Sequence, residues 1–336
     1  MSHTEVFRIT YWNEKMFLMD VDGNYYENTI VNDYSEGDII EIEEDKVRLL
    51  YNGCEKHATI FITNHCNSGC IMCPDSDQYR SMETDYSLDH ILRFASLLPE
   101  DIEGVDVTGG EPTLIKEELP IILHSVLDKR RYLPVMLLSN GRSFADVSYT
   151  EEFRCFAKRG LYVEIPIHGS TAKLHDTIVR VDGAYAQTMA GIRNLLSIGI
   201  QVGIRLVVTR LNYQDLQSIV ALVATRFPAI RYINIMGMEC LGNAYHNRDR
   251  VWIEFEEVKE TVEETVKVCI QNGIEPRLFN FPLCLFKEKF WGCYRKSITP
   301  GKVRYMEECE RCRVKEECGG FFYSTINVTQ FKPERR

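Results

Sequence analysis

The sequence predicts an α/β chain in which six strand–helix units build a parallel sheet, open or closed as a barrel. A small β-rich segment precedes the sheet and a cysteine-rich region follows it. Three observations carry this reading. From residue 58 to residue 275, short apolar runs alternate with longer amphipathic stretches, and such repetition puts strands inside and helices outside. Residues 1–57 hold only short runs broken by turn signals. From residue 276 to 336 the alternation stops, and five of the twelve cysteines crowd between 284 and 318.

Taken in order, VFRITYW, KMFLMD, DIIEIEE and KVRLLY read as the strands of the first segment, with DGN and Asn52-Gly53 as turns. The strands of the α/β region are ATIFIT (58–63), GVDVT (104–108), VMLLSN (135–140), LYVEIPI (161–167), QVGIRLVV (201–208) and YINIMGM (232–238). Helices are expected over LDHILRFASLL, ELPIILHSVLDK, TEEFRCFAK, AYAQTMAGIRNLLSIG, LQSIVALVATRF and FEEVKETVEETVKVCIQNG.

Composition narrows the function. A net charge of −10 argues against nucleic acid as a partner. No apolar run is long enough to span a membrane, and the start MSHTEVFRIT lacks the layout of a signal peptide. The expectation is a cytoplasmic chain with no membrane contact, whose PERR end is a solvated tail. In a reducing compartment clustered thiols indicate metal or redox chemistry. Cys54, Cys155, Cys240 and Cys269 are scattered, are expected to be buried small hydrophobes, and receive no role.

Directly after the first strand of the α/β region comes TNHCNSGCIMCP, with Cys66, Cys70 and Cys73 in one loop. That loop lies at the carboxyl end of a parallel strand, where α/β folds bind ligands. Three thiolates on a four-iron cube would leave one iron open to another molecule. Spacing i, i+4, i+7 also fits one face of a helix, but Asn64, Asn67, Ser68 and Gly69 favour turns. A zinc site is the other reading.

The second strand ends in VDVTGGEPTL, where Gly109 and Gly110 allow a close backbone approach and Glu111 offers a partner to a cation. Ser139 and Asn140 suit hydrogen bonds to a ribose or carboxylate, or simply a polar turn. His168 reaches the same mouth, as a ligand contact or as a satisfied structural histidine. Arg205, inside an apolar strand, needs a partner: either a bound carboxylate or a neighbouring strand's acid. Near the end, Cys309, Cys312 and Cys318 form a second tight group with Cys284 and Cys293 upstream, giving five candidates for four places on a cluster or a zinc ion.

The CxxxCxxC loop resembles the signature of the radical S-adenosylmethionine (SAM) superfamily, with Met72 where an aromatic residue is common, and GGEP matches that family's SAM motif. The resemblance implies a partial (β/α)6 barrel over residues 58–275. It also implies a 4Fe-4S cluster on Cys66, Cys70 and Cys73 whose open iron chelates SAM, and reductive cleavage of SAM to a 5′-deoxyadenosyl radical. Gly109, Gly110, Glu111 and Pro112 would then contact the SAM amino group, Met72 the adenine, and Ser139, Asn140, His168 and Arg205 the rest. No residue is assigned a catalytic role.

The tail is similar to the auxiliary-cluster regions called SPASM and twitch. GGFF after Cys318 departs from SPASM and favours one auxiliary 4Fe-4S cluster, on Cys284, Cys309, Cys312 and Cys318. The blocks ITNHCNSGCIMCP, IPIHGSTAKLHDTIV, INIMGME, VWIEF, NFPLCLFKEKFW and ECERCRVKEECGGFF resemble the His-Xaa-Ser system radical SAM maturases over residues 37–323. That likeness implies a precursor peptide with His-Xaa-Ser repeats as substrate, a sister radical SAM maturase, and an electron donor such as flavodoxin or ferredoxin. Two other readings stand beside it. One is a radical SAM enzyme acting on a sugar, cyclitol or nucleotide; the other is a non-catalytic metal scaffold.

Overall fold

The structure, a computed structural model, describes residues 5–12, 15–27, 33–44, 46–83, 87–130, 132–334 and 336. Strands β1 (Glu5–Trp12), β2 (Lys15–Met19), β3 (Tyr25–Glu27), β4 (Ile39–Glu43) and β5 (Lys46–Tyr51) form an antiparallel sheet in the order β3-β2-β1-β4-β5. Next come β6 (His57–Phe61), β7 (Gly104–Thr108), β8 (Val135–Leu138), β9 (Leu161–Pro166), β10 (Gln201–Val208), β11 (Tyr232–Gly237) and β12 (Glu275–Phe279). These seven run parallel in the order β12-β11-β10-β9-β8-β7-β6, so that β6 and β12 are the two edges and the sheet stays open. A short pair, β13 (Val303–Arg304) with β14 (Phe321–Phe322), lies in the tail.

The expected six strands are therefore seven. The addition is EPRLF, whose Pro276 reads as a strand breaker. It is tolerated because β12 is an edge strand, paired along its length with β11 and met on its other side by a single bridge between Leu278 and Tyr294. The boundary drawn at residue 275 consequently falls on the first residue of that strand.

The helices are α1 (Asp77–Ser81), α2 (Leu88–Leu97), α3 (Glu118–Leu127), α4 (Val147–Glu151), α5 (Ala172–Val179), α6 (Ala184–Ser197), α7 (Leu216–Arg226), α8 (Gly242–His246), α9 (Arg248–Val251) and α10 (Phe255–Gln271). TEEFRCFAK, expected as one helix, is the end of α4 followed by a 3-10 turn over Arg154–Phe156.

The two faces of the parallel sheet differ. Val105, Val107, Val135, Leu137, Val163, Ile165, Ile204, Leu206, Ile233 and Ile235 are buried against the helices, whereas Asp106, Met136, Tyr162, Arg205, Met236 and Arg277 are only half-buried on the other face. A parallel sheet covered on both faces would be apolar on both. Here the face opposite the helices is partly polar and only half-buried.

The first sheet is not an appendage. Val6, Ile39 and Tyr51 belong to the main core, and Phe7, Ile9, Leu18 and Ile40 make a small core of their own. Glu41 of β4 pairs with His90 of α2 (3.2 Å) and Arg48 (2.9 Å). Among the described residues no helix is long and apolar enough to cross a membrane.

Candidate active site

The cysteine loop leaves β6 without helical structure, as its Asn, Ser and Gly content predicts. Asn64 is buried, and its side-chain amide donates to the carbonyls of Tyr79 (2.7 Å) and Met82 (2.8 Å), tying the loop to α1. The Cys66 sulfur accepts the Ser68 N–H, and the Cys73 sulfur the Asp75 N–H, each at 3.4 Å. Burial favours the neutral thiol at all three cysteines and pushes Cys70 up to about 12. Arg80 stands beside them. Its guanidinium donates to the Ser68 carbonyl and to the Cys73 sulfur, while its buried Nε has no partner among the described residues.

The GGEP turn is stitched onto this loop. Gly110 N–H donates to Thr63 O (2.6 Å) and Glu111 N–H to His65 O (2.8 Å). A Cβ at Gly109 would lie 2.4 Å from Thr63 O, and one at Gly110 2.2 Å from His65 O, so only glycine lets the two backbones meet. These glycines approach the cysteine loop itself, a different partner from the ligand expected of them. Glu111 differs too. It is fully buried and accepts from Thr113 N–H and O–H, Ser139 O–H (2.8 Å) and Asn140 N–H (2.7 Å). Its carboxylate locks strand ends together, Oε1 taking three of these bonds and Oε2 one. Ser139 is spent in the same network. Asn140 reaches across it, donating from its amide to Asn67 Oδ1 (2.6 Å) in the cysteine loop. Met72 is packed into the main core and presents almost no surface to an adenine. Pro112 is buried at the start of a 3-10 turn.

Further round the sheet, His168 is buried with its Nδ1 unpartnered among the described residues, and its N–H donates to His175 Nδ1 (3.2 Å). Burial brings the His168 ring down to about 3 and His175 to about 4. Arg205 lies 3.8 Å from Glu164 on the neighbouring strand, which is the structural partner its sequence context allowed, and its Nε donates to Met236 Sδ (3.3 Å).

Sequence reasoning missed three groups. Arg80 and Arg142 both clasp the cysteine loop, the latter through Asn67 O and Ser68 Oγ (3.1 Å). The third is α8, where Gly242 passes so close to Pro74 that a Cβ would lie 2.2 Å from its carbonyl oxygen. Ala244 N–H donates to Cys73 O (3.0 Å), and the Asn243 amide to Asp77 Oδ1 (2.7 Å). The GNA at 242–244 carries no motif, so only the asparagines hinted at backbone-binding turns.

In the tail, Cys284, Cys309, Cys312 and Cys318 line one pocket with Tyr305, Lys315 and Phe321. The Cys318 sulfur accepts the N–H groups of Leu283 and Gly320, both at 3.3 Å. Cys293 lies apart, beside Cys269. Pro333 and Glu334 wall the same pocket and Arg336 O accepts the Arg313 N–H (2.9 Å), so the described residues of the PERR end are held against the protein and do not form the solvated tail expected. Of the four scattered cysteines, Cys240 and Cys269 are buried as expected. Cys54 and Cys155 are exposed, contrary to expectation.

The model of the radical SAM superfamily matches residues 60–223, the stretch that carries the cysteine loop, the GGEP turn and the strands through β10. Over these residues the chain carries a radical SAM core. Its relatives point in two directions. A probable GTP 3′,8-cyclase of Saccharolobus islandicus is 24% identical over 66% of this chain and 68% of that protein. The sporulation killing factor maturation protein SkfB of Bacillus subtilis is 27% identical over 48% of this chain, which spans only 38% of SkfB. The solved structure of anSMEcpe with bound AdoMet and the Kp18Cys peptide matches with a TM-score of 0.50 at 14% identity, covering 66% of this chain and 63% of that one, and shows the shared fold.

This radical SAM enzyme has a donor set that suits its family's cluster. Three thiols in one non-helical loop lie within electrostatic reach of one another, beside a half-buried guanidinium whose buried Nε lacks an acceptor among the described residues. An anionic cluster at the thiols would satisfy that donor. Because burial keeps the thiols protonated, iron must displace their protons on binding. Among the described residues no three Cys, His, Asp or Glu side chains are gathered tightly enough to hold a single metal ion.

Proposed function

We propose that this radical SAM enzyme modifies a ribosomally made precursor peptide, of the His-Xaa-Ser kind that its sequence blocks resemble. The observation that carries the reading is a cleft at the start of β6. Glu55, Lys56 and His57 line one wall, and Lys296, Ser297, Ile298 and Val303 the other. The cleft shares Tyr305 and Lys315 with the four-cysteine pocket, so an extended chain lying in it would run past those thiols to the start of β6. SkfB, a maturation protein, adds weight to a peptide substrate.

Cys66, Cys70 and Cys73 would hold the SAM-binding 4Fe-4S cluster, which on reduction supplies the electron that cleaves SAM to a 5′-deoxyadenosyl radical. Arg80 balances the charge of the thiolates, and Asn64, Arg142 and α8 fix the loop's shape. His168, neutral at physiological pH, presents an unprotonated or singly protonated ring nitrogen to whatever lies at the strand ends. Cys284, Cys309, Cys312 and Cys318 would hold one auxiliary 4Fe-4S cluster, closed by four thiolates. A flavodoxin or ferredoxin would deliver electrons, and a sister radical SAM maturase would share the peptide.

The test begins anaerobically. Protein reconstituted with iron and sulfide is given SAM, dithionite and the peptide, and 5′-deoxyadenosine and peptide mass are followed. We expect both products from the wild type and neither from the Cys66→Ala, Cys70→Ala, Cys73→Ala variant. A second reading, a nucleotide substrate, is favoured by the GTP cyclase relatives. Turnover of GTP with an unchanged peptide mass would replace the first reading with the second.

A further inference from the structure

We infer that Asp106 binds a cationic side chain of the substrate on the face of the sheet opposite the helices. This deepens the peptide reading and rests on the substrate being held against that face. On β7, Val105 and Val107 turn to the helices and are buried, so Asp106 turns to the opposite side, between Thr59 of β6 and Met136 of β8. There it is half-buried, and no hydrogen bond or ion pair is made by its carboxylate among the described residues. A partly desolvated acid without a partner costs stability, and such groups mark ligand sites.

The other charges on this wall are matched. Arg205 faces Glu164 at 3.8 Å, and Arg277 is paired with Glu275 (2.9 Å) while covering the Tyr232 ring at 4.0 Å. Asp106 is therefore the one acid among these groups with no direct partner among the described residues, and His57 and Arg205 act on it only through longer-range fields. Asn234 adds a second acceptor. Its amide nitrogen donates to Glu164 (2.7 Å), which fixes the orientation of the amide and leaves Oδ1 buried and unpartnered among the described residues. Tyr162 lies in the field of both carboxylates and offers an aromatic surface to a cation.

The wall thus asks for a ligand that donates hydrogen bonds and carries positive charge. Arg205 is engaged through Nε, and its terminal nitrogens make no hydrogen bond among the described residues, which leaves them for a carbonyl on the same ligand. A peptide residue with a guanidinium, ammonium or imidazolium side chain meets all of these demands. A nucleoside triphosphate brings several negative charges to a wall whose spare charge is already negative.

The experiment measures equilibrium dialysis of methylguanidine, 4-methylimidazole, acetate and GTP against the reconstituted holoenzyme with SAM, for wild type, Asp106→Asn and Asp106→Ser. Iron content and thermal midpoint report that each variant is folded. Either cation should bind saturably to the wild type and at least tenfold more weakly to both variants, with no such difference for acetate. Equal binding of the cations by wild type and variants, no saturable binding, or tighter GTP binding in the wild type alone would overturn the inference. A wild type that takes up the cation yet leaves the His-Xaa-Ser peptide unaltered sinks the peptide reading and keeps Asp106 as a cation site.

Discussion

His168 and His175 sit one behind the other at a strand end, both neutral because burial makes the charged form costly. Unfolded, each ring returns to about 6.5. Between pH 6.5 and about 4 the unfolded chain then binds more protons than the folded one, so stability is full above that window and falls as the solution is acidified. The slope is about 1.4 kcal/mol per pH unit for each histidine. Urea midpoints at pH 7, 6 and 5 should show this decline, and His168→Gln should make it shallower; an identical decline in the variant would remove His168 from the account. At this scale the cysteines were legible because their chemistry resides in spacing alone. Glu111 and Ser139 were not, because the GGE motif marks a place on the strand mouth without showing whether the carboxylate points to a ligand or, as here, to four donors of its own chain. Arg80 was hidden for the opposite reason: an arginine in a short helix carries no pattern until the thiols it faces are placed.

The tail is the element whose role departs furthest from its sequence. Thr329 Oγ1 and Gln330 N–H donate to Glu254 at the start of α10, and Phe331 packs edge-on to Phe255 (5.9 Å) and near Phe321 (6.1 Å). From that anchor the chain continues over the four-cysteine pocket. Removing residues 329–336 should strip the cover and the aromatic contact together. We expect iron to fall from about eight to about four per chain, with the loop at Cys66 still loaded and SAM still cleaved. Unchanged iron content would show that the strap is dispensable. Only the PERR end reads as solvated in the sequence, and the single phenylalanine before it, Phe331, makes no periodic pattern that would mark the anchor. β12 was missed on similar grounds, its Pro276 outweighing the apolar residues around it.

Across the whole molecule, periodicity revealed the α/β order because six strands bury one face completely, and alternation survives in their sequences. It could not show how the first sheet is attached, which depends on contacts between β1 and α2 and on the Glu41–His90 pair. Since Val6 and Ile39 are buried in the main core, deletion of residues 1–50 should lower the thermal midpoint by roughly 5 °C or more and reduce SAM cleavage through loss of fold. A truncated protein that melts like the full chain would instead make the first sheet a separable module.

The clasp of α8 on the cysteine loop also has a kinetic meaning. Asn243 meets Asp77 across 166 residues of chain, and Asn247 meets Ile71 across 176. Contacts of such separation close late, because the entropy of a long loop must be met before they form. The three thiols should therefore be among the last parts of the sheet's rim to become ordered, and during folding they pass through an interval in which iron can reach them before the clasp shuts.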